Sequence, residues 1–179
     1  MKQKYTSKRT SVNVTRVPVL FNKVDWNAHA CRRNDWINFD YGCGKSFGIV
    51  NTFLKRKGIK NISYDPYNLS HETNIHALRA VDGLHGVDSV TCSNVLNVVM
   101  EDSIRTEIIG HIKSLLVDYG VAYFTVYEGN KTGVIKIDVK RDSVQLNRKA
   151  KTYVQEIRNV FGIDNVYISK NGLITAIKR

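Results

Sequence analysis

Short apolar runs alternate along the chain with segments in which apolar residues recur every three or four positions. Glycines and an Asp-Pro pair mark several of the changes. Residues 36–40, 59–64, 87–92 and 121–127 read as strands, and the last is rich in β-branched and aromatic residues. Helices are predicted over 46–57, 102–119 and 150–161. In the first, Phe47, Val50, Phe53 and Leu54 share a face. Ser46 stands near its N-cap, and Lys55-Arg56-Lys57-Gly58 suits its negative end and stop. In the second, Ile104, Ile108, Ile109, Ile112, Leu115 and Leu116 form one stripe, capped by Asp102 or Ser103 and ended by Gly120. The third carries Val154, Ile157 and Phe161 and stops at Gly162. A shorter helix is expected over 25–33, with Trp26 on the core and Arg32-Arg33 exposed. Residues 17–21 read as an edge strand, because Pro18 cannot donate to a ladder. Residues 74–81 fit a helix or a short strand, and 132–142 a basic hairpin or flap. Residues 166–169 and 173–177 flank Lys170-Asn171-Gly172, a turn signal that predicts a closing hairpin. This alternation predicts an α/β fold, a mostly parallel sheet flanked by helices, with a C-terminal antiparallel hairpin.

The 179 residues fit one domain over 17–179, preceded by a basic, Ser/Thr-rich arm over 1–16 that reads as flexible. No apolar run reaches the ~20 residues of a membrane span. The basic N-terminus lacks the apolar core of a signal peptide, so a cytoplasmic protein is expected. Cys31, Cys43 and Cys92 are far apart and odd in number, which argues against a disulfide framework or a metal site. The net charge of +11 is unevenly spread. Residues 1–33 carry 8 Lys/Arg against 1 acid, 34–130 carry 8 against 11, and 131–179 carry 11 against 4. Basic ends around a slightly acidic middle suit a polyanionic partner, DNA or RNA, although a basic surface without a partner gives the same numbers.

The middle holds the candidate chemistry. In Asp40-Tyr41-Gly42-Cys43-Gly44-Lys45-Ser46 a strand turns on two glycines into a helix. A dinucleotide fingerprint would need glycine at position 47, which is Phe47. A phosphate loop matches at Gly44-Lys45-Ser46 but has Phe39 for its first glycine. The third pattern, Asp-x-Gly-x-Gly-x-Gly, fits at Asp40, Gly42 and Gly44, with Ser46 in the last place. It resembles the nucleotide-side motif of class I (Rossmann-like) S-adenosylmethionine-dependent methyltransferases. A purely structural turn stays open beside these. Asp65 lies 21 residues past Gly44, an offset at which a carboxylate reaches adenosine ribose hydroxyls in a Rossmann-like half. Tyr67 either packs on the adenine or covers the sheet end. Asp65-Pro66-Tyr67 is not the Asp-Pro-Pro-Tyr signature of amino-methylating DNA enzymes: one Pro is missing and the strand differs.

Ligands in such sheets sit beyond the carboxyl ends of the strands, so the loop from Ser93 to Val99 faces the same cleft. Ser93, Asn94 and Asn97 carry oxygens that can orient an attacking amine or hydroxyl, although helix capping is the plainer role for an Asn there. Tyr127 ends the next strand on that side. Gln145, Asn147, Arg148 and Lys149 combine amides and cations suited to a base edge and phosphates, or form a polar loop.

Taken together, Asp40 to Gly44, Asp65 to Tyr67, Ser93 to Val99 and the later strand resemble small phage and bacterial methyltransferases over about residues 36–128. The resemblance implies S-adenosylmethionine as cofactor, with Asp40, Tyr41, Gly42, Cys43, Gly44, Asp65 and Tyr67 around it and no metal. It also implies that Asp82 holds the adenine amino group, where a plain Asp-Gly turn is the alternative. Ser93, Asn94 and Asn97 would be catalytic. The implied acceptor is a nucleic acid base, with a small molecule or a protein as the other acceptors. A catalytically silent SAM- or nucleotide-binding module is the non-enzymatic alternative.

Overall fold

The computed structural model describes residues 3–8, 15–32, 35–45 and 47–179. In chain order the elements are α1 (Val19–Lys23), α2 (Trp26–Arg32), β1 (Ile37–Tyr41), α3 (Phe47–Arg56), β2 (Lys60–Tyr64), α4 (His71–Gly83), β3 (Val87–Ser93), α5 (Asp102–Leu115), β4 (Leu116–Thr125), β5 (Ile135–Asp138), β6 (Ser143–Leu146), α6 (Tyr153–Phe161), β7 (Val166–Ile168) and β8 (Ile174–Ile177). Six strands form one sheet in the order β2-β1-β3-β4-β8-β7. The first four are parallel, and β8 runs antiparallel to both β4 and β7. The expected parallel sheet and closing hairpin are therefore present, with β5 and β6 as a separate two-stranded sheet.

All five residues of β1 are buried, because helices cover both faces of the sheet. Ile37, Phe39 and Tyr41 point into a core shared with Val81 of α4, Ile109 of α5 and Ile157 of α6. The opposite face packs Leu20 and Phe21 of α1, Trp26 of α2, and Val50 and Leu54 of α3. Asn38 and Asp40 alternate with the apolar set and join a hydrogen-bonded seam.

Several expectations change. The run 17–21 is no edge strand: Pro18 stands at the N-cap of α1, whose Leu20 and Phe21 are fully buried. The ambiguous 74–81 segment is the middle of α4, which Ser70 starts by accepting the Thr73 N–H at 3.1 Å. The α4 helix leads directly to β3, so β2 is an edge of the sheet. Helix α5 stops at Leu115, not Tyr119. Leu116 continues the helical stripe by spacing alone, but it pairs with Val87 and begins β4, whose register shifts between Val87 and Ser89. The second strand of the basic hairpin is β6, so 144–146 form a strand where a base-reading segment or a polar loop was expected. Ser46 and Arg33 lie outside the described residues, as do 1–2 and 9–14 of the arm. Residues 3–8 lie against the body: Ser7 N–H donates to Asp142 O at 2.9 Å, and Thr6 Oγ1 to Asp142 Oδ2 at 2.5 Å. Among the described residues no helix is long and apolar enough to cross a membrane.

Candidate functional site

A cavity of about 1120 Å³ opens at the carboxyl ends of β1, β2 and β3. Its floor is the glycine turn. Gly42 has φ +72, and a Cβ there would collide with Cγ2 of Val95. Glycine is thus required both by the backbone angle and by the close approach of the loop after β3. The turn is tied to β2 by main-chain bonds: Gly42 N–H (2.8 Å) and Cys43 N–H (3.1 Å) both donate to Tyr64 O. Gly44 N–H donates to Asp65 Oδ2 at 2.9 Å.

Asp65 is buried and its carboxylate is fully engaged. Oδ1 accepts from Tyr67 N–H and Asn68 N–H, both at 2.8 Å. Oδ2 accepts from Gly44 N–H and from Asn68 Nδ2 at 3.1 Å. Four bonds match the roughly four lone-pair sites of a carboxylate. Asn74 holds the Asp65 backbone from α4: its Oδ1 accepts Asp65 N–H and its Nδ2 donates to Asp65 O, each at 2.9 Å.

Asp40 is the second acid at the floor. Thr91 Oγ1 donates to its Oδ1 at 3.1 Å, and burial pushes its pKa up to about 7, opposed by the Thr91 bond and assisted by the Asp65 charge. The seam continues through the sheet. Asn38 Nδ2 donates to Thr91 Oγ1 (3.0 Å) and to Asn61 Oδ1 (2.8 Å), and Asn61 Nδ2 donates to Asn51 Oδ1 (2.6 Å). Burial pushes the Cys43 thiol up, so it stays a neutral lining group. Tyr41 lies on the other face, its Oη 3.3 Å from His111 Nδ1 on α5. Burial lowers the His111 pKa, which favours a neutral ring at pH 7. Tyr67 is half-buried and lines the cavity.

The opposite wall is the loop after β3. Ser93, Asn94 and Asn97 all line the cavity. Asn94 is exposed with φ 57, and its N–H, given to Thr125 O at 2.8 Å, fixes its backbone at the strand end. Asn97 is buried and engaged in the wall: Nδ2 donates to Gln145 Oε1 at 3.1 Å, and Oδ1 accepts Tyr127 N–H at 3.4 Å. Arg105, almost wholly buried, fixes the exit of this loop through Val99 O and Met100 O, each at 2.9 Å. It is neutralised by Glu156 at 2.7 Å and by Asp102.

The structure therefore brings together Asp40, Tyr41, Gly42, Cys43, Gly44, Asp65 and Tyr67 with Ser93, Asn94, Asn97, Tyr127 and Gln145. It separates four others. Asp82 is exposed at the end of α4, ahead of β3 and away from the cavity, because no strand intervenes between β2 and α4 to carry it to the carboxyl edge. Asn147 is buried and donates to Val134 O at 2.8 Å. Arg148 pairs with Glu156 at 2.5 Å and lies 4.2 Å over the Tyr153 ring. Lys149 is exposed where a 3-10 turn leads into α6 and does not line the cavity. Sequence reasoning missed Asn68, Asn74, His111 and the arm residues Gln3, Thr6 and Ser7, of which all but Asn74 line the cavity. The Asn at 68, three residues past the acid, was the one local signal for an Asx-type turn.

No family model matches the sequence, and no curated protein resembles it in sequence. Solved structures do resemble it in fold. A SAM-dependent methyltransferase from Methanosarcina mazei aligns with TM-score 0.54 and 15% identity over 92% of this chain and 99% of that one. An amino pentose methyltransferase from Micromonospora echinaspora, solved with SAM bound, gives 0.50 and 13% over 88% and 93%. Human N-acetylserotonin methyltransferase, in complex with SAM, gives 0.55 and 15% over 89% of this chain but 50% of that one, so the chain spans half of its length. The fold is that of the Rossmann-like SAM-dependent methyltransferases.

Proposed function

We propose that the protein transfers a methyl group from S-adenosylmethionine to a base of DNA or RNA. One observation carries the donor: the glycine turn is tied to Asp65 at the floor of the cavity, beside the buried carboxyl of Asp40. The N–H groups of Gly42, Cys43 and Gly44 all donate within the protein. A phosphate at this turn would meet two acids and find these three main-chain donors already taken, which counts against the phosphate-loop and dinucleotide readings. A cationic adenosine compound suits two acids. When bound, such a compound supplies a sulfonium-activated methyl group. The chain supplies position: Asp65 stands where a sugar is held, Asp40 offers a carboxyl to a cationic end, and Gly42 keeps the loop after β3 close. Ser93 and Asn94 at the end of β3 orient the acceptor, and alignment of this kind is worth up to ~7–11 kcal/mol.

The acceptor class rests on charge. Arg16 and Lys45 line the cavity and are exposed. Lys4 and Lys8 are exposed on the arm segment whose Gln3, Thr6 and Ser7 line the cavity, and Lys136, Lys140 and Arg141 are exposed on the β5–β6 hairpin that holds this segment. Exposed cations in the cavity lining and on the segments next to it suit a phosphate backbone. A second reading, a small-molecule acceptor, is favoured by the way Gln3, Thr6 and Ser7 roof the cavity, and by the acceptors named for the amino pentose and N-acetylserotonin enzymes.

Incubation with labelled donor and separate pools of DNA, RNA and small amines or phenols tests both. Label in nucleic acid, with affinity falling steeply as salt rises, is the expected result. Label only in small molecules, with flat salt dependence, would establish the second reading instead.

A further inference from the structure

Asp65 has no lone pair left for a ligand. Three of its four bonds come from main-chain N–H groups that hold the turn and the exit of β2. The fourth, from Asn68 Nδ2, is the longest of the four at 3.1 Å and the only one made by a side chain that can rotate away. That bond fixes the amide: a flipped Asn68 would set its oxygen against the carboxylate. In the orientation it takes, Asn68 Oδ1 is buried without a hydrogen-bond partner. The unpaired oxygen offsets only part of what the Nδ2 bond to the charged carboxylate returns, so a ligand still loses affinity by displacing this side chain. Asn68 lines the same cavity, so its displaced side chain has room to enter.

We propose that Asn68 determines affinity at this carboxylate by standing in for a ligand hydroxyl. Its Nδ2 occupies the Oδ2 position that a neutral O–H donor, such as a ribose hydroxyl, takes on binding. Rotation of Asn68 then frees its stranded oxygen to meet water or the ligand's second hydroxyl. This rests on the reading of Asp65 as the sugar-holding acid of a SAM site. It inverts the usual expectation for a polar residue in a pocket wall, because removing the side chain tightens binding.

The test is calorimetric titration of wild type and Asn68→Ala with S-adenosylhomocysteine and with its 2′,3′-dideoxy analogue. Asn68→Ala is expected to bind S-adenosylhomocysteine about fivefold to tenfold more tightly than wild type, the scale of one hydrogen bond. It should bind the dideoxy analogue as wild type does, because that ligand does not need the position. Asn68→Leu, which keeps the volume, should repeat the pattern if alanine loosens the turn. Unchanged or weaker binding of S-adenosylhomocysteine in both variants, with wild type still binding, overturns the role of Asn68 alone. No binding by any of the three proteins removes the SAM reading and this inference with it.

Discussion

Where β1 and β2 end, the main-chain N–H groups of the turn reach partners at most 22 positions along the chain: Gly42 to Tyr64, Gly44 to Asp65. Where β3 and β4 end, the wall is assembled from distant segments. Asn97 meets Gln145 across 48 positions and Tyr127 across 30, and Thr6 meets Asp142 across 136. The first half is closed by main-chain donors on the Tyr64 carbonyl and on one buried carboxylate. The second is closed largely by side-chain amides and a short arm, beside main-chain bonds from Asn94 to Thr125 and from Ser7 to Asp142, and the hairpin that holds the arm exposes Val134, Ile135, Ile137 and Val139. A floor of main-chain bonds fixes where a ligand lies. A wall of side-chain bonds between separate segments can re-pack around different acceptors.

The contrast predicts a graded set of responses. Asp65→Ala strips the acceptor from three main-chain N–H groups, each worth ~1–3 kcal/mol when stranded. A loss of about 3–6 kcal/mol in denaturant unfolding is expected, together with loss of S-adenosylhomocysteine binding. A loss below about 1 kcal/mol would mean that the turn does not depend on this acid.

Gly42→Ala joins the two halves, because the added methyl strikes Val95 at a positive φ. It should cost about 1–3 kcal/mol. In Gly42→Ala/Val95→Ala the steric part should return and the backbone part should remain, giving a coupling of at least about 0.5 kcal/mol. Strict additivity of the two changes would show that the halves do not touch there.

Asp40 gives the floor a pH signature. Its carboxyl is raised from 3.8 to about 7 in the folded protein. The folded state therefore holds a proton that the unfolded chain releases near pH 4. That contribution to stability is fully present below pH 4 and is lost as pH rises through about 7, with a slope of at most about 1.4 kcal/mol per unit. Melting profiles of wild type should fall over this window relative to Asp40→Asn, and parallel profiles would contradict the assignment. Gln145→Ala should have the smallest effect on stability, under about 1 kcal/mol, because it opens the wall and leaves the floor intact. Its mark should be a raised acceptor KM with unchanged S-adenosylhomocysteine affinity.

The same contrast decides what the sequence disclosed. Asp40, Gly42, Gly44 and Asp65 were legible because their geometry is local: a strand, a turn and a fixed offset to the next strand end. Of the two readings open for Asn147 and Arg148, a base-reading set and a polar loop, the structure engages both side chains within the protein. Their partners, Val134 O and Glu156, follow from the β5–β6 pairing and from where α6 begins, and neither is written in their own neighbourhood. Asp82 was misplaced because a helix connects β2 directly to β3. Leu116 extended a helical stripe that β pairing with Val87 interrupts. His111 carried no signal beyond its place in a helix, since its meeting with Tyr41 depends on how α5 crosses the sheet.

The proposed function depends on one ligand in one place. Titration of wild type and Asp65→Ala with S-adenosylhomocysteine, followed by calorimetry, addresses it without knowledge of the acceptor. One molecule bound per wild-type chain, and none by a still-folded Asp65→Ala, is the predicted result. Absence of binding to wild type, or equal binding by both proteins, would contradict it.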